Sequence, residues 1–199
     1  MLAISPPATG RLLKAEKDAL RGKGVSGSKL GEAALLKQIP VRTRYNDTER
    51  NTPGYFQTDT VHHCGSPDSG EFNLTLTVTG IASGWPEFRA LKNKAHIWTM
   101  KELQNIRGSL PFTMIELHSD NGGEFINHDI LNWREITETL CLTRSRPRHS
   151  NDNCFAEQKN NAFVRNYAGY ARFDSEPELA ALPEVYKYLC PLLNFFIPP

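Results

Sequence analysis

The chain has 199 residues, 39% of them hydrophobic and 23% charged, which suffices for one domain with a sizeable core plus appendages and excludes a disordered or disulfide-stapled body. Its longest apolar stretch, residues 189–197, is broken by Pro191 and Asn194 and is too short to span a bilayer, so no membrane association is expected. The net charge of +1 conceals an asymmetry: residues 1–50 carry ten Lys/Arg against five Asp/Glu, and residues 51–199 carry thirteen against seventeen.

The basic front reads equally well as a phosphate-binding segment and as a solvated linker. A short helix is predicted over 8–20, residues 22–29 have the Gly/Ser/Lys composition of a flexible linker, 41–45 is extended, and 51–54 is a turn. No compact core is expected before that turn. The four cysteines, Cys64, Cys141, Cys154 and Cys190, form no CxxC pair, which fits reduced thiols. A zinc site drawing on His62, His63 or His149 with Cys64 or Cys154 lacks metal-ligand spacing. No signal-peptide core precedes these residues, and a cytoplasmic location is expected.

From Tyr55 the pattern becomes β-rich. Strands are predicted at 55–62, 72–79 and 85–91, the second with Phe72, Leu74, Leu76 and Val78 alternating with polar residues, and short turns join the three into an antiparallel meander. Residues 94–107 place Ile97, Met100, Leu103 and Ile106 at helical spacing, a stripe expected to pack into the core. A strand at 114–117 leads to Asp120, a helix at 129–140 turns Ile130, Trp133, Ile136, Thr137 and Leu140 inward, and a short strand follows at 141–143. Beyond the basic loop 144–153 comes a second long helix, 154–170, with Asn151, Asp152 or Asn153 as its cap. A last helix opens at 175–178 and meets Pro183 as an interruption; the apolar ending at 195–199 suggests a truncated chain. The sum is an α/β fold, a mixed sheet of three antiparallel strands and then shorter ones, flanked by helices.

Three acids stand out by position. Asp120 lies where an apolar run stops at Asp-Asn-Gly-Gly; the glycines leave space above its carboxylate, although an Asp in a turn is more commonly a cap or turn former. Asp59 lies in mid-strand, where β propensity disfavours it, and Glu157 lies in the first turns of the helix after the basic loop. If the strands bearing Asp59 and Asp120 are neighbours and the helix crosses their ends, three carboxylates meet at one edge. Like charges that close raise one another's pKa unless a cation sits among them, and the fitting occupant is a hard divalent metal.

Residues 56–59 (Phe-Gln-Thr-Asp), 119–125 (Ser-Asp-Asn-Gly-Gly-Glu-Phe) and 151–160 (Asn-Asp-Asn-Cys-Phe-Ala-Glu-Gln-Lys-Asn) resemble, in order and spacing, the three signatures of the integrase-core DDE recombinases. Sixty residues lie between the first two acids and 36 between the second and third. Within that group of retroviral integrases and insertion-sequence transposases, the chain looks most like a bacterial transposase. The resemblance covers about residues 54–172 and implies an RNase H-like catalytic core there. By the same resemblance, 1–53 is a remnant of a DNA-recognition region and 173–199 a truncated helical segment. It further implies Asp59, Asp120 and Glu157 as catalytic metal ligands, Mg²⁺ or Mn²⁺ as a two-ion cofactor, and double-stranded DNA, both element ends and target, as partner. A homo-oligomer in the DNA complex, and DNA cleavage and strand transfer in the bacterial cell interior, complete the expectation.

In-line phosphoryl transfer of this kind needs no side-chain nucleophile, in keeping with a sequence that offers no Ser/His or Cys/His arrangement. Arg144, Arg146, Arg148 and Lys159 flank Glu157 and are the expected phosphate contacts, with a solvated loop as the alternative. Glu124, one turn beyond Asp120, reads either as a supporting ligand or as a capping residue, whereas Asp152 reads as a helix cap. His62, His63 and His118 are assigned structural or supporting roles. Two other functional classes compete: a DNA-binding or assembly fragment without turnover, and an RNase H-type nuclease on RNA–DNA hybrids.

Overall fold

Tyr55–His62 (β1), Leu74–Gly80 (β2) and Pro86–Leu91 (β3) form the expected antiparallel meander in the computed structural model, which describes residues 33–66 and 69–197. Two shorter strands, Glu116–Ser119 (β4) and Cys141–Arg144 (β5), run parallel to β1 and complete a sheet of order β3-β2-β1-β4-β5. Parallel neighbours need crossover connections, supplied by helix α3 (His96–Ser109) before β4 and helix α4 (His128–Ile136) before β5. The sheet is therefore mixed, with β1 at its centre.

Both faces are covered. On one, Phe56 of β1 and Leu74, Leu76 and Val78 of β2 pack with Leu103 and Ile106 of α3 and Ile130 of α4. On the other, Val61 and Phe88 pack with Val164 and with Leu182, Tyr186, Leu189 and Leu193 of the last helix. Alternation in β2 thus separates two buried faces, since every residue from Leu74 to Gly80 is buried. The threonines between its leucines are compact enough to let a helix lie close to the sheet.

The remaining helices are α1 (Ala33–Leu36), α2 (Asp47–Asn51), α5 (Cys154–Lys159) and α6 (Glu176–Phe195). Helix α5 continues through a π-turn, Asn160–Val164, into a final turn, Arg165–Ala168. The inward stripe of α3 is Thr99, Leu103 and Ile106, and Ile97 is 61% exposed in the first turn. In α4 the helix stops at Ile136, itself 83% exposed, and Thr137 and Leu140 are buried beyond its end. Pro183 does not break α6. Apolar packing along the opposite side holds the helix through the exposed proline, and a Ser175–Glu178 capping box starts it.

A core was not expected before Gly54, yet Leu35 and Ile39 are buried in the main cluster. Scattered apolar residues without a period give no sequence signal of this packing. The helix predicted over 8–20 lies outside the described residues. Among those that are described, no helix is long and apolar enough to cross a membrane, and all four cysteines are free.

Candidate active site

Register brings the first two acids together. Thr58 of β1 pairs with Ser119 of β4, so the next residue on each parallel strand, Asp59 and Asp120, stand side by side at the same end of the sheet. The β4 strand begins and ends two residues later than the predicted 114–117: Ile115 N–H is held by the Gly54 carbonyl ahead of it, and pairing with β1 and β5 runs on to Ser119. Beyond the strand, Gly122 N–H donates to Asp120 Oδ1 at 2.9 Å, which closes the Asp-Asn-Gly turn. Asn121 donates to the Ser145 carbonyl and accepts from Arg144, tying this turn to the basic loop.

Helix α5 crosses the face of the sheet to which Gln57, Asp59 and Val61 point. Three polar side chains, making four hydrogen bonds, fix its start and middle. Gln57, 1% exposed, donates from Nε2 to the Asp152 carbonyl at 2.9 Å and accepts at Oε1 from Phe155 N–H at 2.8 Å. Asn153 Nδ2 donates to the Thr58 carbonyl, and Asn160 Nδ2 donates to Asp59 Oδ2 at 2.8 Å. Farther along, Arg165 donates to the His62 carbonyl. Glu157 and Asn160 are one helical turn apart, so the helix presents both toward the carboxylate end of β1.

The electrostatics record the convergence. Burial pushes Asp59 up to about 8, reinforced by the charges of Asp120, Glu157 and Glu124, while Thr60 N–H opposes the shift. Asp120 is raised to about 6, chiefly by burial and further by Glu124 and Glu157, against the Gly122 N–H. Burial also raises Glu157. Glu124 is itself buried, accepts from Thr60 Oγ1, and lies so close to Asp120 that a Cβ on Gly122 would stand 2.6 Å from its Oε2 and 3.0 Å from Asp120 Oδ1. Four carboxylates thus share one end of the sheet.

A hard divalent cation suits this donor set. The donors are oxygens, the charges acting on Asp59 and Asp120 are all negative, and Asn160 Oδ1 is buried beside Asp59 without a hydrogen-bond partner. Among the described residues, no three His, Cys, Asp or Glu side chains already surround one point where an ion would sit. Side-chain rotation, foremost of the half-buried Glu157, would have to close the ligand set.

Comparison with solved structures gives the catalytic core domain of BIV integrase as a neighbour, with a TM-score of 0.50, 22% identity, and coverage of 72% of this chain and 84% of that one. The fold is that of an integrase catalytic core. A protein of Sinorhizobium fredii (strain NBRC 101917 / NGR234), described as uncharacterized protein y4rM, is 32% identical over 198 residues, which is 100% of this chain and 56% of that protein. The chain therefore spans little more than half the length of this curated relative. No family model matches.

On this integrase-core fold the basic residues divide. Arg144, half-buried, donates from Nε to the Leu36 and Ile39 carbonyls and from Nη1 to Asn121. Arg146 makes a two-pronged ion pair with Asp152, so Asp152 closes the loop and does not cap α5. Arg148 is exposed at a backbone φ of 63°, and Lys159 is half-buried over the Phe163 ring. The true cap of α5 comes from Gln57 on a distant strand, beyond the reach of local sequence rules.

Two of the histidines, His63 and His118, are buried in internal contacts. His118 lies between the hydroxyls of Thr143 and Ser145, and His63 bonds Thr75 Oγ1 and stacks on Phe173; burial lowers both to about 4. Sequence reading also passed over Glu116, buried 3.0 Å from Arg42 Nε and bonded by Thr143. The pair pins the segment before β1 against β4.

Proposed function

We propose that this chain carries the catalytic core of a transposase or integrase-like recombinase that cleaves and joins DNA strands with divalent cations. The observation that carries the reading is the convergence of Asp59, Asp120, Glu157 and Glu124 at one end of the sheet, Glu124 buried and the other three half-buried, with neighbouring charges raising the proton affinity of Asp59 and Asp120. Proteins do not retain such repulsion for stability.

Asp59, Asp120 and Glu157 would hold the cations, with Glu124 and Asn160 next to them. Bound Mg²⁺ or Mn²⁺ supplies Lewis-acid activation of the attacking and leaving oxygens of a phosphodiester. Asn160 orients the Asp59 carboxylate, and the absence of a side chain at Gly122 keeps Asp120 and Glu124 in contact range. The polar loop bearing the exposed Arg148 leaves β5 at this end of the sheet and would meet a backbone phosphate there. Double-stranded DNA is the proposed partner, acted on in the cell interior by a homo-oligomer that pairs two DNA ends.

A nicked DNA duplex carrying a free 3′-hydroxyl, incubated with Mn²⁺ and a second duplex, tests the reading. Joined product from the wild type, reduced at least 100-fold in Glu157→Gln, is expected. Equal product from both proteins would remove Glu157 from the chemistry. Degradation of an RNA–DNA hybrid without DNA joining would favour the RNase H-type reading, and metal-independent DNA binding without turnover the assembly-fragment reading.

A further inference from the structure

The strongest unassigned feature is a polar clasp between β1 and the start of α5, next to the acids but made of residues that carry no charge. Gln57 points to the same side of β1 as Asp59, two residues on, and its side-chain amide bridges the Asp152 carbonyl and the Phe155 N–H. Asn153 returns a bond to the Thr58 carbonyl, at 2.9 Å. The α5 N-terminus has no side-chain cap of its own. Its orientation is therefore set by strand β1, through residues 98 positions apart in sequence, Gln57 and Phe155.

We infer that Gln57 is a positioning residue, which with Asn153 sets where Glu157 stands relative to Asp59; this rests on the metal-dependent reading above. Physical chemistry favours an amide for the task. The clasp must hold a helix bearing one acid against a strand bearing another while the acids repel. A Lys or Arg would bond the carbonyl as well, but would also neutralise the carboxylates and oppose cation entry. An aliphatic side chain would fill the volume and leave the Phe155 N–H and the Asp152 carbonyl buried without partners. Glutamine supplies a donor and an acceptor at once and adds no charge. Glu157 lies two residues beyond Phe155, so a start of α5 that is free to fray or rotate carries Glu157 with it.

The test is a double-mutant cycle read by Mn²⁺ affinity, measured as free Mn²⁺ by electron paramagnetic resonance, with amide hydrogen exchange at Phe155 as a second readout. Gln57→Met is expected to weaken Mn²⁺ binding about tenfold, with lost protection at Phe155, and to have no further effect when Glu157→Gln is already present. Asn153→Ala breaks the clasp from the helix side and is expected to show the same dependence on Glu157, which keeps the test decisive if Gln57→Met folds poorly. Full additivity with Glu157→Gln, or unchanged Mn²⁺ affinity in folded variants of both clasp residues, would overturn the inference. If Glu157→Gln alone leaves Mn²⁺ affinity unchanged, it is the metal-dependent reading that fails.

Discussion

At the scale of single residues, the site is held at a cost that a substitution can relieve. Asp59 has a folded pKa near 8 against 3.8 for an ordinary aspartate, so the native state binds the proton more tightly than the unfolded chain. The sign follows: stability without metal falls as pH rises from about 4 toward 8, because deprotonation favours the unfolded state in that window. Asp59→Asn keeps an oxygen for Thr60 N–H, and its new amide can face the unpartnered Asn160 Oδ1 after a flip of that side chain. It is expected to raise the metal-free Tm at pH 8 by about 3–8 °C while abolishing stabilisation by Mn²⁺, both read by thermal melting. The histidines act in the opposite sense. His63 and His118 titrate near 4 when folded and 6.5 when free, so their contribution is complete above pH 6.5 and is lost as pH falls toward 4. Each should cost on the order of 2 kcal/mol at pH 5, measurable as a drop in urea midpoint that His118→Gln reduces.

At the scale of elements, two features are open to direct test. In the Asp-Asn-Gly turn, the atoms a Cβ on Gly122 would meet first are the movable side-chain ends of Glu124 and Asp120. Gly122→Ala should therefore fold, with a Tm within a few degrees of wild type, yet weaken Mn²⁺ binding about tenfold by pushing the two carboxylates apart. Unchanged affinity would place Glu124 outside the cation's surroundings. In α6, Pro183 deprives the Leu179 carbonyl of its i+4 donor at an exposed position, so Pro183→Ala should stabilise the protein by about 1–3 kcal/mol in urea unfolding. The elements themselves were largely legible: β1 falls where its β-rich run predicts, and the other strands and helices lie within a few residues of their periodic segments. Asp59 stood out in sequence as an acid in mid-strand, where propensity disfavours it, whereas Asp120 and Glu157 stood out through the order and spacing of the segments that hold them. Gln57, Asn153 and Asn160 were not legible as a group, since their partners are set by which strand lies beneath which helix. The internal partners of Arg144 and Arg146 were not legible either, because charge in a loop says nothing of direction, and only the fold shows the Leu36 and Ile39 carbonyls and Asp152 within their reach.

At the scale of the molecule, the sheet order explains why the acids meet. The meander places β1 at the centre, the parallel crossover sets β4 beside it, and α5 lies across the face of β1 that carries Asp59. Two cores, one on each face, make the sheet stiff enough to hold buried acids together against their repulsion. Such a frame predicts cation binding linked to proton release, because at pH 7 Asp59 is largely protonated and Asp120 partly so. Calorimetric titration with Mn²⁺ at pH 7, in buffers of different ionisation enthalpy, tests the central claim most directly. Saturable binding whose heat changes with the buffer, showing protons displaced, and which disappears in Asp120→Asn, is the predicted result. No saturable binding to the wild type, or equal binding by Asp120→Asn, would contradict a cation site built from these carboxylates.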